Sequence, residues 1–212
     1  MSDPLAATDV ASRIAAQTLA KRGVDYADEV RRLLDAALQV MGELGTSSRA
    51  RVADIVAAAG LSNDAFYRHF PSKDALVAAL LEDGVARLAR YIAHQMDKEA
   101  TPEGQVRRWV EGMLAQTHDH TAAATLAVLW NGSSVGTGPE ARHEPSVPLA
   151  ALLHEPFTEL GSPSPELDAA LVAHALVGTV SDHLWAGTRP SRAEAKRITE
   201  FCLAAPTRGS RP

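Results

Sequence analysis

The stretch AGLSNDAFYRHFPSKDAL, Ala59 to Leu76, decides the fold of this chain. It holds a glycine, two serines placed to cap helices, and a proline, with apolar residues between them at helical spacing. Gly60 and Leu61 read as a tight turn, because glycine has no Cβ to obstruct a reversing backbone. Ser62 is a good N-cap for a very short helix ending near Phe70. Pro71 stops that helix. Ser72 then caps a long one through Leu76, Val77, Leu80, Leu81, Val85, Leu88 and Ile92. Upstream, Arg51 to Ala59 forms a helix with Val52, Ile55 and Val56 inward. Before it, Asp25 is expected to cap a helix whose apolar face is Tyr26, Val30, Leu33, Leu34, Ala37, Val40, Met41 and Leu44. Gly45 closes that helix.

Three consecutive short helices, with a glycine turn between the second and third, make the pattern of a helix-turn-helix DNA reader. Ile55, Ala59, Leu61, Phe66 and Phe70 hold the crossing angle. The third helix then presents Ser62, Asn63, Asp64, Ala65, Tyr67, Arg68 and His69 outward, small or hydrogen-bonding groups suited to base edges in a major groove. Lys73 is placed to meet a phosphate, where the backbone N–H groups of a helix start also point. Arg13, Lys21 and Arg22 read either as an arm touching the minor groove or as a solvated tail.

Downstream the period stays helical and no strand alternation appears. Thr101-Pro102 starts a helix to about His120, and another covers about Thr121 to Trp130. Residues 131–148 hold three Gly and three Pro among Ser and Thr and read as a loop. Leu149 to Leu160 resumes a helix, Gly161-Ser162-Pro163 connects, and Ser164-Pro165 opens a helix to about Trp185. Ser191 with Glu194 forms a capping box for a last helix ending near Leu203. The expected fold is all-α, with about nine helices. Residues 1–24 are expected to be a flexible arm and 204–212 a loose end.

Composition narrows the function. The chain has 212 residues, 46% hydrophobic and 22% charged, enough to bury a core without staples. Its one cysteine, Cys202, excludes an internal disulfide framework and a multi-cysteine zinc site. The first twenty residues lack an apolar run of signal-peptide type, and no apolar run is long enough to span a membrane, so a cytoplasmic location is expected. The net charge is −5 and unevenly spread: Val10 to Lys73 carries nine basic against seven acidic residues, Asp74 onward twelve against seventeen. His118-Asp119-His120 does not make a metal site, since residues two apart on a helix do not share a face. Gly136-Thr137-Gly138 lacks the lysine and helix of a phosphate loop. No Ser/His/Asp or Cys/His grouping signals catalysis, and neither an enzyme nor a cofactor is expected.

The run Ala59 to Leu76, with RVADIVAAAG (Arg51 to Gly60) before it, resembles the signature of the TetR family of bacterial transcriptional repressors. Gly60, Ser62, Tyr67, Phe70, Pro71, Lys73 and Leu76 fall where that pattern places them, and the resemblance covers about Tyr26 to Leu81. Two departures stand out: Arg51 where the family commonly has a capping Thr, and Val56 where it has Ala. Arg51 then reaches a phosphate directly, and the cap passes to another residue or is lost. The resemblance implies a homodimer joined through its last two helices, with a divergent C-terminal domain that binds a small molecule. It also makes a phosphate contact the favoured role for Tyr67. The domains then read as arm 1–24, DNA-binding head 25–71, and effector-binding and dimerisation domain 72–212.

The tail agrees in outline. Leu167, Leu171, His174, Gly178, Ser181 and Trp185 form one stripe, followed by Ile198, Phe201 and Cys202. Trp109 and Met113 share a helix face, with Gln116 or Thr117 one turn on, and Trp130 lies nearby in sequence. Together they suggest either a ligand pocket or plain core packing. The expected function is a repressor released from double-stranded DNA, at an inverted-repeat operator, by a small, largely apolar ligand. The alternative is an effector-free DNA-binding protein, a fixed repressor or chromosome-organising factor, with a filled C-terminal core.

Overall fold

The computed structural model describes residues 10–132 and 146–206. In chain order the described residues form α1 (Val10–Leu44), α2 (Val52–Ala59), α3 (Asn63–His69), α4 (Lys73–Met96) and α5 (Pro102–Leu114). A 3-10 turn (Ala115–Thr117) leads to α6 (Asp119–Asn131), α7 (Ser146–Ala151), α8 (His154–Glu159), α9 (Pro165–Ala186) and α10 (Arg192–Ala204). No strand occurs among them.

Helix starts follow their caps. The hydroxyls of Ser62, Ser72, Thr101 and Ser191 accept the N–H of Ala65, Ala75, Gly104 and Glu194, and Glu194 completes the capping box. Arg51 makes no such bond, so α2 has no side-chain cap.

Five expectations need correction. First, α1 begins at Val10 rather than at Asp25, which lies inside the helix. Residues 10–24 are alanine-rich and contain no proline, so helix propensity carries through them despite Gly23. They continue α1 instead of forming an arm; residues 1–9 lie outside the described part. Second, the helix from Pro102 stops at Leu114. There Thr117 Oγ1 donates to the Leu114 carbonyl at 2.7 Å and Gln116 Nε2 to that of Gly112 at 3.3 Å. Such side-chain bonds compete with the helical ladder.

Third, Leu149 to Leu160 is two helices, α7 and α8, because Pro156 has no N–H to offer the Leu152 carbonyl. Fourth, the loop is shorter than expected, since Asn131 closes α6 and Ser146 opens α7; only residues 133–145 lie outside the description. Fifth, α10 holds to Ala204, and residues 207–212 lie beyond the description.

Two apolar clusters form the core. The head's cluster joins Leu33, Ala37 and Met41 of α1 to Ile55, Phe66 and Phe70, and extends to Leu76, Val77 and Leu80 of α4. It also takes in Ala127 and Val128 of α6. The second cluster joins Ile92 and Met96 of α4 to α5 and to α7–α10. Helix α4 therefore straddles both, and a division at residue 71/72 cuts through the head's core.

Helices α4 and α5 meet closely at Gly112, where a Cβ would sit 2.6 Å from Ile92 Cγ1. Ile92 is fully buried and has little room to yield. Gly112→Ala should thus destabilise the protein by about 1–3 kcal/mol, read from its urea midpoint. An unchanged midpoint would show that this helix pair tolerates separation.

Candidate nucleic-acid interface and cavity

The site begins with the turn. Gly60 has φ +62°, in the left-handed region, and ends α2. Its N–H bonds the Ala57 carbonyl at 3.1 Å, and the Leu61 N–H bonds that of Val56 at 2.9 Å. Arg32, on α1, clamps this turn: Nε and Nη2 donate to the Ala59 carbonyl at 3.1 and 2.5 Å, and Nη2 to that of Gly60 at 3.1 Å. A cation on the free carbonyls of a helix C-terminus is favourable in charge as well as in hydrogen bonding.

The turn aims α3. Phe66 is fully buried and Phe70 nearly so, which fixes the helix roll. Asn63, Asp64, Tyr67 and Arg68 are exposed. Tyr67 keeps its ring edge-on to Phe66 at 5.2 Å, and its hydroxyl finds no partner among the described residues. Ser62 is exposed, and its oxygen accepts from Ala65 while its O–H remains available to a ligand. Ala65 and His69, expected to face outward, do not. Ala65 is 4% exposed and packs into the head's interior.

His69 Nε2 lies 2.7 Å from Glu29 Oε2 with only 9% of its side chain exposed, so α1 covers it. Arg68 reaches the same Glu29 oxygen at 3.1 Å and stands 5.8 Å from the Tyr26 ring centre. Glu29 and Arg32 were missed in the sequence, and Tyr26 was read there only as part of the apolar face of α1, because only folding brings them beside α3.

Arg51 forms two 2.9 Å bonds with Asp54 and stays largely exposed. Lys73 Nζ donates to the Ala50 carbonyl at 3.1 Å. Burial pushes the Lys73 ammonium below its usual range, and the nearby Arg49 charge adds to this. Arg49, exposed and close to Lys73, extends the basic rim; the sequence offered only its position just before α2 as a hint.

A cavity of about 520 Å³ lies between α4, α6 and α9. Its walls are mainly Leu, Val and Ala, with Gln116, Thr125, Ser181 and Arg87 as the polar lining. Met113 and Gln116 line it. Trp109 does not: it is fully buried and its indole N–H donates to the Leu149 carbonyl at 2.9 Å, which makes it core. Trp130 lies outside the lining as well and packs on Trp185 at 6.3 Å. Among the described residues no group of three or more acidic, histidine or cysteine side chains could hold a metal. No described helix is long and apolar enough to cross a membrane.

The described elements are thus helical throughout, with a clamped helix-turn-helix and a cavity between α4, α6 and α9. Residues 33–80 match the family model described as bacterial regulatory proteins, tetR family. The chain is similar to the HTH-type transcriptional regulator BetI of Cronobacter sakazakii, with 28% identity over 157 residues, 73% of this chain and 76% of that one. With the BetI of Escherichia coli O127:H6 it shares 26% over 98 residues, 46% of this chain and 49%, about half, of that protein. Its fold resembles the transcriptional regulator FadR of Bacillus subtilis, solved with stearoyl-CoA. That match has a TM-score of 0.56 at 19% identity and covers 85% of this chain and 99% of that one. The helix-turn-helix segment, residues 33–80, is thus similar to that of the TetR family of transcriptional regulators.

The Glu29 carboxyl is held below its ordinary 4.5, first by the His69 hydrogen bond, with the charges of Arg68, His69 and Arg32 assisting against partial burial. A carboxylate with a depressed value adds stability above its ordinary value and loses it as the pH falls through the folded one. Glu29→Gln should therefore lower the thermal midpoint at neutral pH, and the gap to the native chain should close below pH 4.5. A gap that persists unchanged in acid would show that the ion pair does not hold α3.

Proposed function

We propose that this protein is a homodimeric repressor that binds an inverted-repeat operator and releases it when a small, largely apolar ligand enters the cavity between α4, α6 and α9. The observation that carries the ligand-responsive reading is that Leu80 and Val128 line the cavity and also belong to the head's core. A ligand there presses on side chains that support α3. An effector-free protein would fill this space with its own side chains.

The lining favours an uncharged ligand. Arg87 is the one charged residue among the described lining, and it is half-exposed and paired with Asp83 at 2.8 Å. A charge buried without a partner is costly, so hydrogen bonds from Gln116, Thr125 or Ser181 suit a neutral polar group on an apolar body. Neither Trp109 nor Trp130 takes part in this reading.

Two features support the DNA-bound dimer. Asn63, Asp64, Tyr67 and Arg68 share the open side of α3 near the basic Arg49 and Lys73, with Ser62 and Arg51 placed for phosphates. Helix α9 is apolar on two sides: Ala169, Val172, Ala173, Leu176, Val180 and Leu184 are buried, whereas Leu167, Leu171 and Trp185 are at least half exposed. A helix apolar on two opposite faces has room for a second partner, and the exposed Phe201 of α10 extends the patch. Residues 25–71 then read DNA and 72–212 bind ligand and dimerise, with α4 serving both.

Selection from random DNA should yield an inverted repeat with half-sites about 34–36 Å apart, and Asn63→Ala should change base preference there by about 1–3 kcal/mol. Selection of asymmetric sites would reject the two-fold reading. Leu167→Glu with Leu171→Glu should give monomers in sedimentation while leaving the inner face of α9 intact. Truncation after Gly161 is a poorer test, since it would remove core side chains. For the cavity, calorimetry with straight-chain alcohols and the matching carboxylates should show binding of the alcohols and loss of operator affinity. Heat from the carboxylates alone would overturn the neutral-ligand reading.

A further inference from the structure

Asn131, the last residue of α6, is completely buried. Its Oδ1 accepts the Ala50 N–H at 2.9 Å, and its Nδ2 donates to the Ala127 carbonyl at 2.9 Å. Ala50, 2% exposed, accepts at its own carbonyl from Lys73 Nζ at 3.1 Å. One chain of hydrogen bonds thus runs from α6, through the segment before α2, to the first turn of α4. Buried polar chains of this kind are stiff when satisfied and costly when broken. Three neighbours of Asn131 (Val128, Leu129 and Gly132) line the cavity.

We propose that Asn131 is the positioning residue through which cavity occupancy reaches the DNA-reading head. With the cavity empty, its carboxamide holds the Ala50 peptide, and with it the adjacent Arg49 and the Lys73 ammonium, in the arrangement that fits DNA. A ligand that shifts the end of α6 draws the carboxamide from the Ala50 N–H. The Ala50 peptide then loses its anchor, and Lys73 loses a fixed acceptor. The bond ties residues far apart in sequence, so no local helix requirement explains it. This inference rests on the ligand-responsive reading above, because a coupling residue needs a ligand whose binding differs between the two arrangements.

The test uses the full chain, an operator selected in vitro, and two ways of occupying the cavity: 1-decanol as a diffusible probe, and the filling substitution Val177→Phe on the α9 wall. In the native background each should weaken operator binding, within the 5–150-fold typical of such couplings. In an Asn131→Leu background the ratio of affinities with and without occupancy should fall close to one. That ratio cancels any uniform loss of folded protein, so a purely structural role would leave it unchanged. Amide exchange at Ala50 should also speed up in Asn131→Leu, and in the native chain on adding decanol. If the ratio persists in Asn131→Leu, the coupling role is overturned while the ligand-responsive reading stands. If neither decanol nor Val177→Phe changes operator affinity in the native chain, that reading and the coupling role fall together. Decanol carries the comparison alone should Val177→Phe fail to fold.

Discussion

The left-handed turn at Gly60, clamped by Arg32, is the constraint on which the rest of the head depends. The turn sets the angle at which α3 leaves α2, and that angle decides which side chains of α3 meet the core. At that angle Phe66 is fully buried. A Cβ at position 60 would meet Arg32 Nη2 at 3.1 Å in a conformation that L side chains rarely adopt. The same α1 face supplies Glu29 to His69 and Arg68, so one helix steadies both ends of the reading unit. The long α1 therefore braces both the turn and α3.

The body of the protein is joined to this head through helices that contribute to both core clusters. Helix α4 gives Leu76, Val77 and Leu80 to the head's cluster and Ile92 and Met96 to the other, while α6 sends Ala127 and Val128 upward. Close-packed interiors transmit displacement because they contain little free volume. The cavity between these two helices is lined by side chains of both clusters, Met113 and Leu149 of one and Leu80 and Val128 of the other. Leu80 and Val128 are common to the cavity wall and the head's core.

Polar groups in the interior show a similar economy. The Trp109 indole has the Leu149 carbonyl, Thr117 has that of Leu114, and Asn131 is bonded through both ends of its carboxamide. Cys202, by contrast, is buried in an apolar setting that pushes its thiol up to about 12, which makes it a packing residue rather than a reactive one. Outside, α9 keeps Leu167, Leu171 and Trp185 in the open on the side opposite its buried face.

The sequence by itself determined the elements whose chemistry is local. Caps at Ser62, Ser72, Thr101 and Ser191, the turn at Gly60 and the stop at Pro71 each act within about one helical turn, and each was legible as a short pattern. The start of α1 was misread because alanine-rich residues before Asp25 carry helix without any cap signal. What only the tertiary structure decided was the destination of side chains whose partners are distant in the chain. His69 answers to Glu29 across 40 positions, Trp109 to Leu149 across 40, and Asn131 to Ala50 across 81. Spacing on one helix says which residues share a face. It does not say whether that face meets DNA, a ligand or another helix, because packing between elements makes that choice.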